Sequence, residues 1–275
     1  MLGNIIGDII GSIYESNNIR TKDFVLFGEG VGYTDDSILT LATAKSILYG
    51  GNVSDYFVQF AKKYKCPKGG YGTNFSAWLY QAVRNGIKLP YNSCGNGSAM
   101  RVGPIGWAYN DEDDVLLKAK ENAECTHNHP EGIKGAQAVA LSIFLAKTGN
   151  DKTVIEKSIH EKFHYDFDFS LEDLQKEYGW HSSKWAYGGL CQGSVPQAIK
   201  AFLEGTDFED CIRNAISIGG DSDTIACITG GIAEAYFGIP FHIYSKAMSF
   251  LEEDLTLIVQ EFENKFGNKI INDKV

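Results

Sequence analysis

The sequence predicts an all-α chain, and three apolar stripes at helical spacing carry that expectation. Val53, Phe57, Phe60, Ala61 and Tyr64 form the first, Ala136, Val139, Ala140, Ile143 and Phe144 the second, and Phe208, Cys211, Ile212, Ala215 and Ile216 the third. Each recurs at i, i+3, i+4 type spacing, which puts its apolar side chains on one face of a 3.6-residue helix. Gly50-Gly51, Gly149-Asn150 and Gly205 read as helix ends, and Asp111, Asp151 and Asp207 as helix N-caps. Period-two alternation is scarce: only Lys22 to Phe27 reads as a short extended piece, and no β-α alternation follows it.

Taken from the N-terminus, the chain begins with an apolar stretch that carries Asp8 and Glu15 and lacks a basic flank, unlike a secretory signal. No stretch approaches the roughly 18 uncharged apolar residues of a membrane span. Residues 163–187 are the exception to helical regularity. They are rich in aromatics (Tyr165, Phe167, Phe169, Trp180, His181, Trp185, Tyr187) and longer than a mere connection, so they read either as a substrate-side loop or as a cover for the core. No Pro/Ser-rich linker, low-complexity tract or fixed-period repeat divides the chain, and residues 1–275 are expected to form one domain.

Composition narrows the function. At 275 residues, 44% apolar and 12% aromatic, the chain has ample material for a core. A net charge of −10 leaves no broad basic surface for phosphate backbones, which excludes general nucleic-acid binding while leaving room for one nucleotide in a pocket. The six cysteines are scattered without CxxC spacing, which fits a reducing, cytoplasmic setting.

Chemistry concentrates in two segments far apart in sequence. Thr34-Asp35-Asp36, behind Gly30 and Gly32, and Asp221-Ser222-Asp223-Thr224, behind Gly219-Gly220, each lead into an apolar helix. Either alone is an ordinary capping pattern. Brought together, four carboxylates and the two threonine hydroxyls would be intolerable as bare charge in one pocket, and divalent cations resolve that. The all-oxygen donor set selects hard ions, Mg2+ or Mn2+ before Ca2+ and well before Zn2+, and the charge count suggests two. A third segment, Ser93-Cys94-Gly95-Asn96-Gly97-Ser98-Ala99-Met100-Arg101, precedes an expected helix and offers backbone N–H groups to a phosphate, although it is neither a Walker loop nor a dinucleotide fingerprint. His127 and His129 lie two apart, and phosphate or substrate hydrogen bonding suits them better than metal ligation. Arg101 is expected to pair with a site carboxylate, a phosphate or a structural partner.

In this order, Gly7-Asp8-Ile9-Ile10-Gly11-Ser12-Ile13-Tyr14-Glu15, Thr34-Asp35-Asp36, Gly70-Tyr71-Gly72, Gly95 to Arg101, Thr126-His127 and Gly219 to Thr224 closely resemble the ADP-ribosylglycohydrolase family, which includes the dinitrogenase reductase-activating glycohydrolase. The resemblance implies one all-helical domain with a binuclear Mg2+ or Mn2+ cleft, hydrolysing the bond between ADP-ribose and a modified acceptor. It implies metal ligation by Thr34, Asp35, Asp36, Asp221, Asp223 and Thr224, with Glu15 as a further ligand or gate. It implies diphosphate binding by Ser93, Gly95, Asn96, Gly97 and Ser98, with His127 and Tyr71 beside them. Cys94 departs from relatives that place an aromatic there, which moves adenosine stacking elsewhere, the 163–187 segment being one candidate. Cys191-Gln192-Gly193-Ser194-Val195-Pro196 is similar too, and reads mainly as packing, with Pro196 in a helix's first turn.

Cleavage at the anomeric carbon of ribose passes through an oxocarbenium-like state, with Asp36, Asp221 or Glu15 as the proton carrier. Three readings stay open on these residues: this hydrolysis, metal-dependent phosphoester hydrolysis, and a catalytically silent ADP-ribose-binding or structural protein on the same scaffold. The expected partner is an ADP-ribosylated protein, nucleic-acid base or small molecule, met by a monomer away from membranes.

Overall fold

A computed structural model describes residues 1–179, 186–267 and 270–271. Among them the chain is helical nearly throughout. α1 (Leu2–Gly11), α2 (Asp35–Tyr49), α3 (Val53–Lys63) and α4 (Thr73–Asn85) lead to one 3₁₀ turn, Asn96–Ser98, and then to α5 (Gly103–Ala108), α6 (Glu112–Glu124) and α7 (Pro130–Lys147). α8 (Lys152–Phe163), α9 (Leu171–Glu177), α10 (Cys191–Glu204), α11 (Phe208–Ile218), α12 (Ser222–Phe237), α13 (Phe241–Met248) and α14 (Glu253–Phe266) follow. The only strands described are β1 (Ile239–Pro240) and β2 (Ile270–Ile271), two residues each and paired in parallel. The all-α expectation holds, while Lys22 to Phe27 runs as turns and bends and not as a strand.

The start signals act as read. Asp111, Asp151 and Asp207 cap α6, α8 and α11 by accepting the N–H groups of Asp114, Val154 and Asp210. Gly50 and Gly205 close α2 and α10. Pro196 is a correction: α10 opens at Cys191, whose N–H is tied to the Cys94 carbonyl at 2.9 Å, so the proline falls inside the helix. Without an N–H it forgoes one intrahelical bond there.

α12 is the axis of the core, buried from Ser222 through Ala235, with α1, α7, α10 and α11 packed around it. Its closest neighbour is α1, and the reason is a row of small residues one turn apart. A Cβ at Gly3 would sit 2.1 Å from the Gly230 carbonyl oxygen, one at Gly7 1.9 Å from that of Ala226, and one at Gly11 2.5 Å from the Asp223 Cα. No side chain fits, so the two backbones touch along α1. That contact carries Asp8 of α1 to the N-terminus of α12, where α2 also begins. The 163–187 segment divides between both of its expected uses. Tyr165 and Phe167 are buried in the core, Tyr187 stands 45% exposed, and Trp180, His181 and Trp185 lie outside the described residues.

Candidate active site

The N-termini of α2 and α12 face one another across a cleft of about 520 Å³. Asp35 and Asp36 open α2; Asp221 and Asp223 open α12; all four line the cleft, together with Glu15 and Thr224. Ligand-capable oxygens of Asp8, Asp36 and Asp223 lie within 4.8 Å of one another, and so do those of Glu15, Asp221 and Asp223. Asp223 belongs to both groups. The cluster exceeds what capping requires: Thr34 caps α2 through the Asp36 N–H, but Asp221 caps α12 with no side-chain bond. Oδ1 of Asp36 is buried with no hydrogen-bond partner among the described residues, which leaves it available to a cation.

Burial raises every carboxyl here, and mutual repulsion adds to it. Asp8 is pushed to about 6 by burial, against four stabilising hydrogen bonds, and Asp35 to about 8 by burial and then by Asp8 and Asp221. Asp36 and Asp223 are raised well above the ordinary range, each by burial first and then by neighbouring carboxylates, and Glu15 is raised by burial, Asp221 and Asp8. Two helix N-termini offset part of that repulsion. The rest calls for cations, and an all-oxygen, acid-rich donor set fits hard divalent ions.

Asp8 joins the expected site residues, and its signal in the sequence is one charged residue inside an otherwise apolar helix. It is fully buried and accepts the Thr34 N–H at 2.9 Å, the Thr34 hydroxyl at 2.6 Å, the Ser37 N–H at 3.1 Å and the Ser37 hydroxyl. It therefore pins the Thr34-Asp35-Asp36 loop from beneath. The α12 loop has its own clamp. Gly219 and Gly220 both take left-handed backbone, φ +73° and +71°, which only glycine adopts freely. Asn18 donates to the Gly220 carbonyl at 2.9 Å and accepts its N–H at 2.8 Å, while Arg20 donates to the carbonyls of Ile218 and Tyr178. No sequence signal marks Asn18 or Arg20, because their partners are some 200 residues away.

Ser93, Gly95, Asn96 and Gly97 line the same cleft, with His127 over the loop glycines and with Tyr71, Tyr91 and Tyr187 also in the lining. The helix expected behind this loop is a single 3₁₀ turn, followed by the short α5. Asn96 links this loop to the carboxylates, donating to Asp221 Oδ2 at 2.6 Å and to the Ser194 hydroxyl at 2.9 Å, so the Cys191-to-Pro196 segment supports the loop as well as packing the core. Ser98 is fully buried and donates to the Gly132 carbonyl at 2.8 Å, away from the cleft lining, whereas the Thr34 hydroxyl bonds Asp8 at 2.6 Å and stands 3.3 Å from Asp36 Oδ2. Tyr71 lines the cleft and donates to the Tyr64 carbonyl at 2.7 Å. Arg101 meets no carboxylate among the described residues; it is buried against the Phe57 ring and donates to Asn122 and Thr126. His129 caps α7 by accepting the Glu131 N–H.

A sequence profile of the ADP-ribosylglycohydrolase family matches residues 1–267. The chain belongs to that family. Among curated ADP-ribosylglycohydrolase relatives, it is 30% identical to ADP-ribosylhydrolase ARH3 of Gallus gallus, over 86% of this chain and 84% of that one. It is 29% identical to ADP-ribosylhydrolase ARH3 of Homo sapiens, over 87% and 84%. A solved structure titled ADP-ribosylglycohydrolase-related protein complex shares the fold, with a TM-score of 0.70 at 23% identity over 96% of this chain and 95% of the other. The six cysteines are all free, and among the described residues no helix is long and apolar enough to cross a membrane.

Proposed function

We propose that this chain hydrolyses the glycosidic bond between ADP-ribose and a modified acceptor, using two Mg2+ or Mn2+ ions. The observation that carries the reading is the polarity of one cleft: two overlapping carboxylate groups at one end, and a glycine-rich loop with a buried imidazole at the other, joined by Asn96. That matches a ligand with a ribose to be attacked and a diphosphate to be held.

Thr34, Asp35, Asp36, Asp221, Asp223, Thr224 and Glu15 would hold the cations, with Asp8 fixing the first loop. Bound there, the ions would supply charge neutralisation, a grip on ribose hydroxyls and a more acidic water. The chain's own residues do the rest. Ser93, the backbone of Gly95 to Gly97, and His127 bind and orient the diphosphate. Asp36, Asp221 or Glu15 carries the proton. Tyr91 and Tyr187, among the cleft aromatics that also include Tyr71 and Phe75, are available to the adenine where Cys94 offers none.

The test is a panel of defined substrates ADP-ribosylated on arginine, serine, a DNA base or a small molecule, incubated with Mg2+, Mn2+ or EDTA. Metal-dependent release of intact ADP-ribose from at least one member is expected. Nucleoside monophosphate products would instead establish phosphoester hydrolysis, and tight ADP-ribose binding without turnover on any member would establish a silent binding protein.

A further inference from the structure

Arg101 poses a problem that the metal end does not solve. It is fully buried, it has no carboxylate partner among the described residues, and its Nη1 has no hydrogen-bond partner. A buried cation without an anion is costly, so it persists where its field is used. Arg101 contributes to the cleft wall, but its Nη1 is buried and its other nitrogens are turned to protein partners. What Arg101 does reach is the Thr126 hydroxyl, at 2.8 Å from Nη2, and that hydroxyl lies 2.8 Å from Nδ1 of His127. The opposite ring nitrogen, Nε2, makes no hydrogen bond among the described residues, although His127 is only 6% exposed and lines the cleft. It hangs over the loop so closely that a Cβ on Gly97 would sit 3.2 Å from it, and one on Gly95 3.5 Å.

We propose that Arg101 and Thr126 act as positioning residues that hold the His127 ring with Nδ1 as acceptor and Nε2–H as donor, aimed at a phosphate oxygen above Gly95 to Gly97. The inference rests on the reading of the cleft as an ADP-ribose site. The guanidinium can only donate, so it fills one lone pair of Thr126 Oγ1 and leaves the hydroxyl proton for Nδ1. The reverse arrangement would bring an Nδ1 proton toward the Arg101 charge and turn a bare lone pair toward the anion. Around the ring stand Arg101, Tyr91 edge-on at 5.3 Å, Thr126 and the loop glycines; burial and then Arg101 lower its pKa well below the ordinary range.

The experiment uses the full chain labelled with 15N-histidine, the His127 signal being assigned by its loss in His127→Asn. Long-range 1H–15N spectra should show the Nε2–H tautomer in wild type and Thr126→Ser, and a mixed or altered tautomer in Thr126→Val. In calorimetric titrations, ADP-ribose should bind Thr126→Val about tenfold more weakly and Thr126→Ser nearly as wild type, while Mn2+ binds all three alike. An Nδ1–H tautomer in the wild type overturns the relay whatever the protein binds. So does a Thr126→Val variant with wild-type affinity, or failure of serine to restore a lost one. Wild type that shows Nε2–H yet binds no ADP-ribose overturns the proposed function instead.

Discussion

The two ends of the cleft are built from different materials. At the acidic end, side chains on helix N-termini converge, and their positions are set by the core: the glycine row of α1 lies on α12 and Asp8 ties α1 to α2. At the phosphate-loop end the contacts offered to a ligand are mostly backbone, on a 3₁₀ turn and the loop before it, supported from behind by Asn96, Ser194 and Arg101. The first end is therefore coupled to folding, and the second is expected to act on affinity.

Four substitutions or conditions would break or sharpen that contrast. The largest effect is expected from Asp223→Asn, because Asp223 serves both carboxylate groups. Turnover should fall at least roughly a thousandfold, about 4 kcal/mol of barrier, with helical content by circular dichroism nearly intact. Wild-type activity in this variant would remove Asp223 from the metal set. Next comes Gly7→Val, whose side chain would overlap the Ala226 backbone; a loss of about 3 kcal/mol or outright failure to fold is expected in denaturant titration. A stable Gly7→Val protein would mean that α1 and α12 can part without cost.

Gly97→Val is the matched change at the other end. It should weaken ADP-ribose binding roughly tenfold or more by displacing His127, with Mn2+ affinity and thermal midpoint little changed. Equal losses for both ligands would show that the loop acts through general folding. The smallest effect is a pH trend in EDTA. Asp8 and Asp35 hold their protons up to about 6 and about 8 in the folded chain, against an ordinary 3.8, so the stability they contribute is complete in acid and is lost as pH climbs through those values. Tm in EDTA should fall by a few degrees from pH 5 to pH 8, and millimolar Mg2+ should flatten the slope. A Tm that rises over that range would contradict the crowding of carboxylates.

Much of this was legible in the chain. The apolar stripes of α3, α7 and α11 and the aspartate caps predict the helices because period and capping are local properties. The carboxylate segments were legible for the same reason: each is a short run of residues whose chemistry is visible without its partner. Asp8 was harder to read, since its role depends on Thr34 and Ser37 on another helix, and the row Gly3, Gly7, Gly11 gains its meaning only from what lies opposite.

By itself, then, the sequence determined the helical class, the element ends, and the kinds of oxygen donor and turn available to a site, because local backbone preference and side-chain chemistry travel with each residue. Only the tertiary structure decided that Asp8 supports the acidic end, that Asn18 and Arg20 clamp the Gly219-Gly220 turn, that Ser98 faces the interior, and that Arg101 reaches His127 through Thr126 instead of a carboxylate. Those outcomes depend on which backbones approach closely enough to exclude water, and that is fixed by packing across the whole chain.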